Sequence, residues 1–240
     1  MAKKVAGFEG FPKGTLKFFK DLSKNNSKAW FDEHRDDYEK LVKEPSAAFC
    51  VTMGERLRKI APQIVAEPKV NRSLFRINRD TRFSNDKTPY KTNLGILWWT
   101  APAKRFDSGE FYFHIDPVAG TMFVAGGMHQ IPQDMLDEFR RSVLDDALGK
   151  ALVKAVEKIT KTGDYKIWGE HYKTVPRGFD KDHPRADWLR YVGVIGMYET
   201  KIVPELHSPE IVDWTFEHFK KFKPLYDWTQ AMADRHATGI

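Results

Sequence analysis

An α+β fold is what the order of hydrophobic periods along this chain predicts. Apolar residues recur at helical spacing through the first third, from Leu16 to Ile60. The middle third changes to a two-residue period, cleanest from Glu110 to Asp116. From Pro132 onward the helical period returns. No repeat, low-complexity tract or Pro/Gly/Ser linker interrupts the 240 residues, so one domain is expected over 1–240. Its architecture is expected to be a mainly antiparallel sheet, with helices from the N- and C-terminal parts packed against it. Residues 1–12 are expected to form a flexible N-terminus, and 208–240 a C-terminal helical segment.

The elements follow in order. Leu16, Phe18, Phe19 and Leu22 make a short amphipathic helix that Asn25-Asn26-Ser27 interrupts. Ser27 suits the N-cap of a helix from Lys28 to about Lys43, with Trp30, Phe31, His34, Tyr38, Leu41 and Val42 along one broad face. Pro45 falls where a next helix begins, and Phe49, Met53, Leu57 and Ile60 carry it to Pro62. Leu74 to Arg79 alternates as a half-buried strand does, and Asn85 to Pro89 is turn chemistry. Leu94 to Trp99 reads as a more fully buried strand. Trp98 and Trp99 face opposite sides of it, one core and one available for stacking.

Glu110 to Asp116 puts Phe111, Phe113 and Ile115 on one face and Glu110, Tyr112, His114 and Asp116 on a polar one, expected to be solvated or hydrogen-bonded. Pro117 to Gly120 turns the chain into a return strand from Thr121 to Ala125, which Gly126-Gly127 ends. Pro132 starts a helix through Met135, Leu136, Phe139, Val143 and Leu144, and Leu152 to Ile159 mark another. A structured loop from Gly163 to Pro184 precedes a short element at Trp188-Leu189 and a strand from Val192 to Tyr198. Ser208-Pro209-Glu210 is a cap, an N1 proline and an N-terminal acid; it opens a long helix bent or broken at Pro224.

Composition bounds the partners. A net charge of +6 favours anions without naming one. Cys50 is the sole cysteine, which excludes an intramolecular disulfide and a Cys-rich zinc site. The longest apolar stretch, Leu94 to Trp99 with Ala101 beyond, is too short to cross a bilayer, so a soluble cytoplasmic protein with no membrane partner is expected.

The charge is not spread evenly. Between Asn71 and Asn93 lie Arg72, Arg76, Arg79, Arg82, Lys87 and Lys91 against only Asp80 and Asp86. That surplus of +4 is about two thirds of the net charge of the chain, and either acids from elsewhere or an outside anion must offset it. Guanidinium forks and ammonium groups suit phosphate or carboxylate oxygens, and Thr81, Ser84, Thr88 and Tyr90 add hydroxyl donors. Arg76, Arg79, Arg82, Lys87, Tyr90 and Lys91 are therefore the candidate anion-binding set. No Walker pattern or G-x-G-x-x-G loop accompanies them. Gly126-Gly127 offers backbone amides for an anion, or simply a tight hairpin exit.

RINRDTRFSNDKTPYKTN, from Arg76 to Asn93, resembles the signature of the DUF2461 family of uncharacterised bacterial and fungal proteins. NNSKAWFDEHRDDYEKLV (Asn25 to Val42), GGMHQIPQDMLDEFR (Gly126 to Arg140) and VPRGFDKDHPRADWLR (Val175 to Arg190) agree with it. The resemblance implies a compact single domain and no stated activity. It also implies one departure, because relatives often carry a lysine at about the position of Val192, so the site here lacks that cation.

Three functions stay open. The favoured one is a binding module with a basic cleft for a phosphate-bearing small molecule or nucleic acid. A hydrolase or transferase acting on an anionic substrate would use Asp80, Asp86 or His114 as acid–base groups. A structural protein would brace the cations internally, against Asp32, Glu33, Asp36, Asp37 or Glu39. His114 with Asp116 and His129 is a weak metal or acid–base grouping, and Arg177 and His183 could extend a pocket edge. Neither metal nor cofactor is expected, and no H-E-x-x-H or G-x-S-x-G motif occurs.

Overall fold

A computed structural model describes residues 7–239, and the helical first third forms as one near-continuous run. Helix α1 (Lys13–Lys24) buries Phe18, Phe19 and Leu22. Ser27 caps α2 (Lys28–Glu33), its hydroxyl accepting from the Trp30 N–H at 3.3 Å. His34, with φ −107° and ψ 19°, interrupts the turn before α3 (Arg35–Tyr38). A π-turn (Glu39–Lys43) then leads without a gap into α4 (Glu44–Leu57), and Pro45 stands in the first turn of that helix, where a helix start was expected. The reason is local. Pro45 has no N–H to give the carbonyl four residues earlier, and the five-residue spacing of the π-turn absorbs the mismatch. That carbonyl, of Leu41, accepts from the buried Thr15 hydroxyl of α1 at 2.5 Å.

The sheet has six strands: β1 (Ile64–Val65), β2 (Leu94–Thr100), β3 (Glu110–Asp116), β4 (Thr121–Met128), β5 (Lys166–Trp168) and β6 (Val194–Lys201). They run antiparallel in the order β1-β2-β3-β4-β6-β5, and Ile167 of β5 sits opposite Gly196 of β6. With helices before and after it, the fold is α+β. Every residue of β2 is buried, so Trp98 and Trp99 are both core and neither is left for stacking. β4 runs straight through Gly126-Gly127 to Met128, past the end expected at Ala125. Glycine there answers to close approach. A Cβ on Gly127 would lie 2.4 Å from the Val194 carbonyl oxygen, and one on Gly126 2.7 Å from Phe222. Those two residues are sheet members, not an anion cradle.

Helices α5 (Leu136–Leu144), α6 (Asp146–Thr160) and α7 (Glu210–Thr238) complete the chain. Asp145 caps α6 by accepting from the Ala147 and Leu148 N–H groups at 2.9 and 2.8 Å. α7 runs from Glu210 to Thr238 with Pro224 inside it, so of the bend or break expected there the break does not occur. Phe219, Phe222, Leu225 and Tyr226 are all buried around the proline, and that packing outweighs the lost backbone bond.

Backbone proximity divides the described residues into two compact units, interleaved along the chain. The first comprises 7–98, 112–123 and 199–217; the second comprises 99–111, 124–198 and 218–239. In the first, the rings of Phe11, Phe49 and Phe113 meet at centroid separations of 4.8 to 6.0 Å, and the Trp98 Nε1 donates to the Cys50 carbonyl at 2.9 Å. Phe8 and Phe11 are both buried, so the expected flexible N-terminus is packed from Phe8 onward; residues 1–6 lie outside the described residues. Cys50 behaves as a small hydrophobe, its thiol pushed up to about 12 by burial. In the second unit Phe111 stacks on Tyr226 at 4.6 Å and touches Phe219 at 4.9 Å.

The Thr15–Leu41 bond gives the first expected outcome. Thr15→Val removes a buried donor and costs about 1–2 kcal/mol in urea denaturation, whereas Thr15→Ser stays near wild type.

Candidate functional site

The basic segment is an arm with a fixed root and an open tip. Its two sides meet through the bridges Leu74↔Ile96 and Asn78↔Tyr90, with the Lys91 N–H on the Ile77 carbonyl at 2.7 Å and the Arg79 N–H on the Pro89 carbonyl at 2.9 Å. Pairing by isolated bridges replaces the continuous strand expected from Leu74 to Arg79. Asn26 locks the root: its amide donates to the Tyr90 carbonyl at 2.9 Å and its oxygen accepts from the Tyr90 N–H at 3.1 Å. The buried Tyr90 ring stacks on Phe31 at 4.3 Å. Tyr90, expected in the anion-binding set, is thus an anchor.

At the tip the two acids are used locally. Arg82 grips Asp80 through Nε and Nη2 at 2.9 and 2.6 Å. Arg79 pairs with Asp86 and also donates to the Thr88 hydroxyl, while Asp86 accepts from the Thr88 N–H at 2.9 Å. Arg72, at the foot, pairs with Glu67 at 2.9 Å. Lys91 lies 5.5 Å above the Phe75 ring. Lys87 donates only to the Thr81 carbonyl, at 2.9 Å, and Arg76 is exposed; neither has a carboxylate partner among the described residues. The acids of the Trp30 helix stay out of this network: Asp32 pairs with Arg35 and Glu39 with Lys43.

One residue of the tip escaped the sequence reading. Phe83 is 96% exposed, with the Arg82 guanidinium 5.7 Å from its ring centre. The available signal was a single aromatic inside the polar run Asp80 to Lys87, with no apolar residue at strand or helix spacing to share a face with it.

The acid–base candidates are not brought together. The Arg82 side chain holds Asp80 down to about 2, and the Thr88 N–H with Arg79 does the same for Asp86, so both stay ionised at neutral pH. His114 is pushed down to about 4 by burial; its Nδ1 meets the Tyr112 hydroxyl at 3.0 Å and its ring stacks on Phe123 at 4.5 Å. It is uncharged at neutral pH, half-buried and hydrogen-bonded, one of the two conditions expected for that face. Asp116 is occupied in the hairpin turn, accepting from the Val118 and Ala119 N–H groups. His183 accepts from the Arg185 N–H within its own turn, and Arg177 is exposed. No group of three or more His, Cys, Asp or Glu side chains fit to hold a metal occurs among the described residues.

The second unit contains a separate cleft of about 700 Å³, lined by none of the arm residues. Asp107, His129, Gln130, Gln133, Glu170 and Tyr172 are among its walls, with Val192. The lysine departure at Val192 therefore falls here, and leaves the arm's cations as they were. Glu110 holds the wall residue His129 from behind. On a face expected to be solvated or hydrogen-bonded, it is only 2% exposed; one oxygen accepts from the His129 N–H at 2.9 Å and the other is buried without a hydrogen-bond partner. Burial pushes its carboxyl up to about 7, against the pull of that N–H and of the Arg105 charge.

The model of one family, described as "Conserved hypothetical protein (DUF2461)", matches residues 14–228, most of the chain. No curated protein matches the sequence.

A proton held by Glu110 has a measurable consequence. The folded protein keeps it up to about 7, while the unfolded chain releases it near 4.5. Stability therefore declines as pH rises through that window, by about 3 kcal/mol at most. Glu110→Gln keeps an acceptor for the His129 N–H and cannot ionise. Urea denaturation from pH 4.5 to 7.5 is expected to show wild type losing stability relative to the variant.

Proposed function

We propose that this chain, which belongs to the DUF2461 family, binds single-stranded nucleic acid through the arm of residues 76–91. The family description names no activity, so the reading rests on the side chains. One observation carries it: a phenylalanine ring bare to solvent among cations whose tips face the same solvent. Bases stack on exposed aromatic rings whatever their identity, and phosphates sit on the flanking cations. Arg76 and Lys87 supply charge that no carboxylate of the described chain meets in a direct ion pair, although Arg76 acts on Asp80 from a distance. The Arg82–Asp80 pair is open, the Arg82 side chain being 76% exposed, so a phosphate competes for it at little desolvation cost.

The arm's shape favours a strand over a small phosphorylated molecule. Its cations stand on an exposed loop and do not converge on an enclosed pocket, as a small anion bound by several groups at once requires. Asn26 and Tyr90 keep the root ordered, which lowers the entropy lost when the tip is occupied. The acid–base reading has weaker support, since Asp80 and Asp86 are engaged in ion pairs and His114 is covered.

Fluorescence anisotropy with labelled oligothymidine and oligouridine tests this. Affinity is expected to fall linearly on a log–log salt plot, with a slope of about −0.7 per phosphate contacted. Arg76→Ala and Lys87→Ala should each flatten that slope by about one phosphate's share. Phe83→Ala should weaken binding by about 1–3 kcal/mol with the slope unchanged. Absence of binding at low salt, or a Phe83→Ala protein that binds like wild type, would overturn the proposal.

A further inference from the structure

The cleft of the second unit has chemistry opposite to that of the arm. Among its walls the charged side chains are Asp107 and Glu170, and no lysine or arginine of the described residues lines it. His129, also in the wall, adds no charge at neutral pH, because desolvation holds its imidazole below the ordinary value. Two arginines stand next to lining residues, and the charge of Arg105 acts on the Glu110 carboxyl behind His129. Arg105 lies over the Phe106 ring at 4.5 Å, and Arg190 donates to the Tyr172 carbonyl at 2.9 Å and pairs with Asp187 at 3.3 Å.

Aromatic surface surrounds this negative charge. Tyr172 lines the cleft and is 44% exposed; Trp168 is 40% exposed and stacks on His129 at 5.5 Å, with planes 14° apart. Large rings left in water beside a concave wall lower the free energy of a ligand that covers them. Phe106, in the same wall, has φ of 76°, a left-handed conformation that costs a phenylalanine of order 1 kcal/mol or more and recurs where a site's shape is imposed. Behind His129 the Glu110 carboxyl adds an independent sign, a buried oxygen with no donor.

We propose that this cleft binds a small organic cation, an amine, guanidine or quaternary ammonium group, held by Asp107 and Glu170 and covered by Tyr172. A cation fits better than a neutral polyol. Two carboxylates desolvated by an uncharged ligand lose hydration with no opposite charge in return. A cation neutralises them and also gains from the negative faces of the rings. An anionic ligand is excluded by the same two charges. Gln130 and Gln133 add amide groups that can fix the orientation of a donor-bearing ligand.

The test is isothermal titration of the full chain with putrescine, agmatine and choline, using maltose as the neutral counterpart. A background of 150 mM KCl screens unspecific attraction. At least one of the three cations is expected to bind with one-to-one stoichiometry, and maltose is not. Asp107→Asn and Glu170→Gln should each weaken that binding about tenfold or more, the loss expected for a charged hydrogen-bond partner. Tyr172→Ala should weaken it several-fold. Glu170 is exposed, so Glu170→Gln carries the comparison if Asp107→Asn fails to fold. Binding of maltose alone, of none of the four, or of a cation with undiminished affinity in Glu170→Gln would overturn the assignment. Oligonucleotide affinity in the same variants is expected to match wild type, which separates this site from the arm.

Discussion

The two-residue period of β3 is the constraint from which most of the site chemistry descends. Phe111, Phe113 and Ile115 are fully buried, and no register shift by one residue can keep them so. Fixing those rings forces Glu110, Tyr112, His114 and Asp116 onto the other face. Each then takes its role from what that face meets. Tyr112 lies over β2, where Gly95 has no Cβ to obstruct it; a Cβ there would come 2.4 Å from the Tyr112 hydroxyl. His114 is covered by Phe123, and Asp116 ties the hairpin turn. Glu110 at the start of the strand is left with a single donor and a displaced pKa. A polar strand face in sequence is thus graded in the fold, buried at Glu110 and half-buried at Tyr112, His114 and Asp116.

The arm obeys a different constraint, local charge balance. Each acid in the loop pairs with an arginine of the same loop: Asp80 takes Arg82, and Asp86 takes Arg79. Those pairs order the loop without burying it, since exposed ion pairs contribute at most about 1 kcal/mol each. Order comes instead from the root, where the Asn26 amide and the Phe31–Tyr90 stack sit among buried residues. The outcome is a rigid stem with a charged, solvent-facing end, and Phe83 stays in water because nothing at that end is apolar enough to cover it.

Much of the fold was legible because it depends on short-range patterns. The Ser27 cap, the bounds of β3, the hairpin turn at Pro117 to Gly120 and the helices after Pro132 all follow from spacing and turn chemistry. What could not be read depends on partners distant in sequence. Gly126-Gly127 looked like a strand end, but it is Val194 and Phe222, roughly 70 and 100 residues on, that require the missing side chains. Pro224 looked like a bend or a break, and the buried rings around it prevent the break. Trp99 looked available because a two-residue period says which face a residue takes and never whether that face is covered. In the basic segment the cations were visible in the sequence, but the partner each one takes depends on how the loop folds back on itself.

The sign of a site is set by its own walls and not by the net charge of the chain. A surplus of +6 invites the view that the whole surface recruits anions. Screening limits that view, because at physiological ionic strength a charge is felt over about 8 Å, little more than one shell of side chains. Within such a radius the arm presents Arg76, Lys87 and the open Arg82 pair, and the cleft of the second unit presents Asp107 and Glu170. The two proposed sites would therefore select ligands of opposite charge within one basic protein. A ligand search guided by overall charge would test the first and pass over the second, whose two acids are separated in sequence and outnumbered in the sum by lysines and arginines.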